Sequence, residues 1–447
     1  MTKVFAFLFS LSAVAVFSQK KWTLQEAVNY AVENNLQVRQ SNYNKQIQEN
    51  TLEISKKEKL PRVAGNVSNT FNFGQGQDVF GNSQRNDNFS NNANVSGDIL
   101  LFNHGRLEKT VRKNEFDVEA SSQDLEKIKN DISLQVAEQY LNVLLNREIE
   151  KINQSALDNA DKMYRRAKIT TEVGTTPKTT LAEAEAAVAR EKQNVKTAEI
   201  NTKRSLFSLA QLLQIEDYKN FDVQDVALQN KLDAPLYSAE DVINKAYENQ
   251  PQIKASESRI KSAEAQTEIV KTNFWPTVSA NAGIGTYYYN SLVTNNIGGS
   301  QLYISEKSFF TQYKDNFGQQ IGVSASIPIF NKGITKLQVE QSKLNEEIAK
   351  NTLSLQKQEV LQNVQRAQFN AESNYAVYLA AVEAEKSSAL ALDFAEKSYE
   401  AGRTTIYDLN IARNNYANAK GSVAQAKYNY LFSQKLLNFY AGIPLSL

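Results

Sequence analysis

The chain has 447 residues, with 50 Lys and Arg against 49 Asp and Glu, and this balance argues against nucleic-acid binding through bulk electrostatics. It has no cysteine and one histidine, His104, so disulfides, thiolate chemistry and a histidine-based zinc or iron site are excluded. We therefore expect no cofactor and no metal. No converging set of catalytic side chains is recognisable, and the chain is not expected to be an enzyme.

Residues 1–18 have the pattern of a secretory signal peptide. Lys3 supplies the positive start, residues 4–17 supply the apolar core, and Val16 and Ser18 are small enough for cleavage before Gln19. The alternative is an N-terminal membrane anchor, but the apolar run is shorter than the ~20 residues that span a bilayer. No long apolar run follows. The protein is expected to be exported, and to be either soluble or held in a membrane by β-strands.

The remaining sequence contains two copies of one unit. Matched positions are 215 residues apart in the first part of the unit and 228 apart in the second, which places 13 extra residues in the second copy. The matched pairs are Thr23 with Ser238, Pro61 with Pro276, Phe102 with Phe330 and Gly174 with Gly402. A constant offset indicates duplication, here of residues 19–220 and 236–447 with a connecting segment at 216–235. The extra residues lie between Pro276 and Phe330 and suggest a surface loop.

A short helix opens each copy, and Thr23 and Glu26 have the spacing of a helix-capping box. Two segments follow in which every second residue is apolar or small. The pattern predicts strands at about 62–74, 88–102, 277–289 and 316–330. Their length suits transmembrane β-strands, and aromatic residues crowd near the second of the two polar loops between them, 75–88 and 290–316. A soluble β-sandwich with one apolar face is the alternative.

Two long helices come next, at 105–166 and 333–400. In the first, Val111, Val118, Leu125 and Ile132 repeat at heptad spacing, which indicates packing against other helices. At 1.5 Å per residue, a helix of about 60 residues is roughly 90 Å long. Each long helix ends near a glycine and is followed by a returning helix, at 177–214 and 405–440.

Four strands in one chain would leave two open edges, whose unpaired backbone groups cannot face lipid. Small membrane barrels need about eight strands or more, so the strands must be pooled between copies of the chain. The predicted fold class is an α+β membrane protein. It combines a long antiparallel α-helical barrel with a transmembrane β-barrel shared between protomers.

The chain resembles the TolC-like outer membrane efflux proteins over nearly all of its length after the signal. The resemblance is carried by short motifs in duplicated order: Leu60-Pro61 and Trp275-Pro276 before the strands, residues 101–105 and 329–333 after them, and the turns at 173–175 and 399–409. It implies a homotrimer with four strands from each chain and twelve in the barrel, located in the bacterial outer membrane and extending into the periplasm. The implied partners are a periplasmic adaptor protein, an inner-membrane RND or ABC transporter, and outer membrane lipid; no nucleic acid is expected.

The resemblance also implies adaptor-docking tips at the helix turns. These are Val173, Gly174 and Thr175 in the first copy, and Ala401 and Gly402 in the second. The alternative is that both glycines serve only as helix C-caps.

An aperture that gates the channel is implied at Tyr399, Arg403, Thr404 and Asp408. Thr404 stands where the family has an arginine, and Ile411 where the family has a second aspartate, so we expect one acidic ring rather than two. The alternative for Asp408 is a first-turn carboxylate favoured by the helix dipole.

The function expected from the sequence is a passive duct of a tripartite efflux or export system. A type I protein secretion duct is an alternative within this class, because the duct is generic and the pump selects the cargo. An exported coiled-coil scaffold or adhesin is the alternative from another class, and the alternating strands argue against it.

Overall fold

The computed structural model describes residues 21–77, 83–226, 232–234, 239–292, 296–297, 300–301 and 307–443. The predicted signal peptide and Ser238 lie outside these residues. The chain divides into two compact units: unit 1 is Met1–Asn44, Ser122–Ala255 and Leu353–Leu447, and unit 2 is Lys45–Ser121 and Ser256–Thr352. Each unit takes segments from both predicted copies, so the units cut across the repeat.

The helices dominate the described chain. They are α1 (Leu24–Asn34), α2 (Leu36–Lys57), α3 (Arg106–Glu172), α4 (Lys178–Leu212), α5 (Ala239–Asn249), α6 (Pro251–Lys271), α7 (Phe309–Asp315), α8 (Ile334–Glu400) and α9 (Ile406–Tyr440), with a short 3-10 helix at Thr272–Phe274. Helices α3 and α8 have 67 residues each and begin 228 positions apart; α4 and α9 have 35 each and begin the same distance apart. Within the described ranges, none of these helices combines the length and apolar character needed to span a membrane.

Local sequence signals account for two of the helix ends. Thr23 and Glu26 form the predicted capping box: the Thr23 side chain accepts from the Glu26 amide, and the carboxylate reaches back to the Thr23 amide. Helix α3 does not stop at Arg166, as the apolar pattern suggested, but continues to Glu172. It ends where Gly174 supplies a left-handed backbone conformation. This conformation terminates a helix more sharply than the end of an apolar repeat does.

Unit 1 has an apolar core among its helices. On α4, four residues at a spacing of seven are buried: Val188, Val195, Thr202 and Leu209. Tyr140 of α3 is fully buried, and its hydroxyl lies 3.1 Å and 2.9 Å from the carbonyl oxygens of Trp22 and Gln224. These carbonyls border a short parallel pair of strands, β1 (Lys21–Trp22) and β6 (Asp222–Val223), so the connecting segment is joined to α3. Burial raises the pKa of Tyr140 to about 12.

Unit 2 contains a four-stranded antiparallel sheet. The remaining strands of the described residues are β2 (Arg62–Asn72), β3 (Gln75–Gln77), β4 (Ser83–Arg85), β5 (Asn88–Phe102), β7 (Thr277–Ser291), β8 (Asn296–Ile297), β9 (Ser300–Gln301) and β10 (Gly318–Ser326). The sheet has the order β10-β7-β5-β2, with β5 paired to β7 across the two halves of the sequence. In the described chain, β2 and β10 each have a neighbour on one side, so both outer edges of the sheet are open.

Two sequence expectations for unit 2 need correction. The fourth strand ends at Ser326 rather than at 330, because Pro328 lacks the N–H that would continue the ladder. The loops expected at 75–88 and 290–316 are not free of regular structure. The first contains the β3–β4 pair, and the second contains the β8–β9 pair and helix α7.

The register of the sheet separates an apolar face from a polar face. Val67 lies opposite Ala93 on β5, and Ile321 lies opposite Ala282 on β7. Large apolar side chains on this face are exposed in the single chain: Val67 is 69% exposed and Ile321 is 89% exposed. Neighbouring residues on the other face are polar, for example Asn66, opposite Asn94. This alternation is what a sheet with lipid on one side and water on the other requires.

Candidate functional site: the helix turns of unit 1

The turn after α3 is a glycine-capped helix end. Gly174 has φ of 78°, its N–H donates to the Thr171 carbonyl at 3.1 Å, and the Thr175 N–H donates to the Thr170 carbonyl at 2.9 Å. This is the bond pattern of a Schellman motif, which favours glycine at the left-handed position. Val173 is 68% exposed, and a Cβ placed on Gly174 would meet nothing within 4 Å.

The turn after α8 repeats this geometry. Gly402 has φ of 72°, its N–H donates to the Tyr399 carbonyl at 3.0 Å, and the Arg403 N–H donates to the Ser398 carbonyl at 2.9 Å. Ala401, Gly402 and Arg403 are exposed. Both glycines are therefore helix C-caps, as one of the two interpretations held. Their adaptor docking stays a prediction, and the open space around both turns leaves room for a partner.

Asp408 begins α9 in a capping box. Its carboxylate accepts from the Thr405 hydroxyl at 2.7 Å and from the Thr405 amide at 3.2 Å, while its own amide donates to the Thr405 hydroxyl oxygen. The side chain is exposed and lies in the first turn, where the helix dipole favours a negative charge. The first-turn interpretation is thus correct for the local structure. It does not conflict with a ring role, because one carboxylate can cap a helix and still present its charge to solvent.

The other predicted aperture residues do not assemble into a network within one chain. Tyr399 packs with Tyr164 and Leu181 against a small buried cluster of Ala167, Ala184 and Ile406. The Thr404 hydroxyl is buried and has no hydrogen-bond partner among the described residues. Within the described residues 307–443, no hydrogen bond or ion pair joins Tyr399, Arg403 and Asp408 to one another.

An arginine that sequence reasoning missed links the two helices instead. Nη2 of Arg413 on α9 donates to Oε1 of Glu396 on α8 at 2.8 Å. Its Nη1 is buried without a hydrogen-bond partner among the described residues. The Arg413 side chain also lines a cavity of about 70 Å³. The other polar side chains lining that cavity include the buried Glu191, with Arg190 and Lys420. The sequence signal was weak: Arg413 is one charge in a helix rich in Ala and Asn.

Within the described ranges, no group of three or more His, Asp or Glu side chains is placed to hold a metal ion. His104 lies in unit 2, with φ of 56° just before helix α3. Its ring stacks on Trp275, with centroids 4.2 Å apart and planes 6° from parallel. Lys332, its counterpart in the second copy, has nearly the same backbone conformation, with φ of 58°.

Solved structures with this fold are outer membrane channels. The chain matches the Campylobacter jejuni CmeC outer membrane channel with a TM-score of 0.75 at 20% identity, covering 95% of this chain and 87% of that one. It matches the open state of the Neisseria gonorrhoeae MtrE outer membrane channel with a TM-score of 0.71 at 19% identity, covering 94% and 89%. The fold is thus the channel fold, which combines a helical barrel with a β-barrel.

Curated relatives point the same way over a shorter stretch. Outer membrane protein TolC of Escherichia coli is 32% identical over 159 residues, which is 35% of this chain and 30% of TolC. The alkaline protease secretion protein AprF of Pseudomonas aeruginosa is 31% identical over 140 residues, or 28% of its length. These alignments therefore span less than a third of either relative.

A family model shows to which protein family the chain belongs. The model of the outer membrane efflux protein family matches residues 27–213 and 242–442, one segment in each predicted copy. The chain belongs to this family, and it is an outer membrane protein. Both the resemblance and the location expected from the sequence are confirmed. The family is one of channels rather than enzymes.

Proposed function

We propose that the protein is the outer membrane duct of a tripartite export system. It would carry substrates passively from a periplasmic adaptor and an inner-membrane pump to the exterior. Family membership and the channel fold support this function. The observation that carries it is the sheet of unit 2, which has one apolar face and two open edges in the described chain.

An isolated four-stranded sheet of this kind is not a stable membrane structure. The open edges of β2 and β10 would leave N–H and C=O groups unpaired in lipid, at a cost of several kcal/mol for each group. If β2 of one copy pairs with β10 of the next, the edges disappear and the apolar face becomes the outer wall. We infer a barrel shared between copies of the chain, because one chain supplies four strands and a barrel needs about eight or more; two chains would supply eight and three would supply twelve. The resemblance to the TolC-like family favours the homotrimer with twelve strands.

The helix turns of unit 1 are the proposed contact with the adaptor, and Asp408 is the proposed acidic ring. Exposure of Val173, Ala401 and Gly402 supports docking. Symmetry would bring three Asp408 carboxylates together, and a ring of carboxylates favours cations. Tyr399, Arg403 and Thr404 would complete the aperture between protomers, since they do not do so within one chain.

Two versions of this function differ in the cargo that the duct would carry. The relatives include channels and a protease secretion protein, so both small-molecule efflux and type I protein secretion fit the family. The duct provides no selectivity that would separate them, and the partner pump would be of the RND or the ABC class accordingly.

The experiment compares two lysine substitutions on neighbouring residues of β2. Val67→Lys places a charge on the apolar face, where about 2–4 kcal/mol opposes insertion at mid-membrane depth. Asn66→Lys places the same charge on the polar face. We expect Val67→Lys to abolish heat-resistant oligomer in the outer membrane and export in cells, and Asn66→Lys to retain both. Equal assembly of the two variants would contradict the proposed barrel.

A second arm of the same export assay separates docking from assembly. Val173→Asp changes an exposed residue of the first turn without altering the glycine cap. We expect normal amounts of oligomer but reduced export. Normal export with Val173→Asp would show that this turn does not dock.

A further inference from the structure

Helix α7 lies against the sheet of unit 2 in the segment where the second copy is longer than the first. Three residues fix it to β7. The Gln312 side chain accepts from the Tyr289 amide at 3.1 Å and donates to the Tyr289 carbonyl at 3.0 Å. Asn316 donates to the Tyr287 carbonyl at 2.8 Å, and the Thr286 hydroxyl donates to the Tyr313 carbonyl at 2.7 Å. The helix is therefore a fixed part of the sheet rather than a free loop.

The side chains that meet α7 show which face it covers. The Tyr313 hydroxyl bonds to the Asn91 side chain, and the Phe309 ring lies 5.0 Å from the ring of Tyr288. Asn91 lies opposite Tyr288 in the register, and the positions that follow on the same face are Ala93 opposite Thr286, then Val95 opposite Ile284. This is the apolar face of the sheet. Helix α7 thus sits on the side that would meet lipid, at the end of the strands farthest from the helices.

Aromatic rings connect α7 to three strands on that face. Ring centroids are 4.6 Å apart for Phe71 and Phe89, 6.0 Å for Phe89 and Tyr288, and 4.3 Å for Phe309 and Tyr313. The chain of contacts runs from β2 through β5 and β7 to the helix. Aromatic rings in a row at one end of a membrane barrel mark the boundary between hydrocarbon and headgroups.

One aromatic residue of α7 lies on the outside of this cluster, with its ring centroid 5.5 Å from that of Phe309 in a T-shaped contact. Phe310 is 83% exposed, although its neighbours Phe309 and Tyr313 pack towards the sheet. A phenylalanine ring exposed to water is unfavourable, and its transfer to an apolar environment would be favourable. Lys314, one helical turn later, is exposed on the same side of the helix. An apolar ring with a nearby cation is the composition of a helix that lies in a bilayer interface.

We propose that α7 is an interfacial anchor of the duct. Phe310 inserts at the boundary between headgroups and acyl chains of the outer leaflet, and Lys314 meets anionic headgroups. The inference rests on the proposed function, because it requires the apolar face of the sheet to be the outer wall of the barrel. The occupant is a lipid surface, because Gln312 and Asn316 already bond the backbone of β7 beyond the end of β10, so a second copy finds no free strand edge there, while Phe310 and Lys314 are exposed.

The absence of cysteine makes a site-specific test direct. Phe310→Cys, Val67→Cys and Ile169→Cys are each labelled with a nitroxide in the full-length oligomer, reconstituted in vesicles of phosphatidylethanolamine and phosphatidylglycerol. Electron paramagnetic resonance then gives the accessibility of each label to oxygen, which partitions into lipid, and to a water-soluble nickel chelate. Val67 is the control for the membrane wall. Ile169, which is 62% exposed near the end of α3, is the aqueous control.

We expect the ratio of oxygen to nickel accessibility at 310 to lie several-fold above that at 169 and below that at 67. A ratio at 310 equal to that at 169 would overturn the anchor. Low accessibility to both reagents would also overturn it, because the ring would then be covered by protein, such as a second copy of the chain. If the label at 67 is itself aqueous, the proposed barrel fails; if only the label at 310 is aqueous, the barrel stands and the anchor fails.

Discussion

At the scale of single residues, Asp408 has one observed role and one proposed role, and a single substitution would confound them. Its carboxylate caps α9 through Thr405, and its charge would form the proposed ring. We expect Asp408→Asn to lower the cation selectivity of the channel in planar bilayers, because the ring charge is lost. The measurement is the reversal potential in a salt gradient.

Thr405→Ala is the matched control for this prediction. It removes the same cap, at about 0.5–2 kcal/mol of helix stability, but keeps the Asp408 charge. Cation selectivity should therefore survive in Thr405→Ala. Reversal potentials that are unchanged in Asp408→Asn, or equally changed in both variants, would rule out the acidic ring.

Residue roles were only partly predictable from the sequence. The caps at Gly174 and Gly402 could be predicted because a capping signal is local and its residues are neighbours in sequence. The Arg413–Glu396 ion pair could not, because it depends on how α8 and α9 pack. For the same reason, the sequence did not show that Tyr399 and Asp408, two of the implied aperture residues, are not bonded to each other within one chain. A resemblance transfers residue types, but the partner of each side chain is decided by packing.

At the scale of elements, Arg147 joins the connecting segment to helix α3. Its guanidinium bonds to Asp222, donates to the Val223 carbonyl at 2.8 Å, and lies 2.7 Å from an oxygen of Asp225. The Arg147 side chain is 13% exposed. We expect Arg147→Met to cost about 2 kcal/mol at neutral pH, because several charge-assisted hydrogen bonds are lost together. Thermal unfolding in detergent would measure this as a lower Tm.

The same cluster predicts a pH dependence. Burial alone would raise the pKa of Asp225, but hydrogen bonds from Lys151 and Arg147 outweigh it and hold the pKa below its ordinary value of 3.8. A lowered pKa stabilises the fold above that value, and the contribution is lost as the pH falls through the folded pKa. The difference in Tm between Arg147→Met and the native protein should therefore shrink in acid.

Lys151→Met provides the control for the Arg147 prediction. Lys151 donates to Oδ2 of Asp225 at 2.9 Å and is 70% exposed, so solvent screens the pair and its loss should cost less than about 1 kcal/mol. Equal effects of the two substitutions would show that the arginine contributes no more than an exposed surface charge.

The elements themselves were largely predictable. A long helix repeats its apolar pattern at every turn, and a strand repeats it at every second residue. Many positions therefore support the same assignment. Pro328 could also have been used to end the fourth strand, since its missing N–H is a property of the sequence. Helix α7 was not predictable, because its 7 residues are too few to show a helical period. It is held by tertiary contacts such as those of Gln312 with Tyr289.

At the scale of the whole molecule, the open edges make a prediction about copies of the chain. If β2 of one protomer pairs with β10 of the next, a cysteine at Ala64 should form a disulfide with one of a series of cysteines at positions 319–325. The chain has no cysteine of its own, so any cross-link reports the engineered pair. Strands in a sheet lie about 4.7–4.9 Å apart, which brings directly opposed Cβ atoms within reach of a disulfide.

Oxidation of intact outer membranes should convert the paired variants into covalent dimers and trimers on denaturing gels, strongest at one position and weaker at alternate positions on the same face. Ser96→Cys replaces Ala64→Cys in the control, because Ser96 lies on the central strand β5, opposite Ala64 and separated from β10 by β7. Covalent species that stop at three chains would establish both the shared barrel and the trimer. A ladder beyond three would indicate an open chain of sheets, and the absence of any link at all seven positions would mean that these two edges do not meet. In either case the duct would need a different closure, since the sheet of one chain cannot enclose a pore alone.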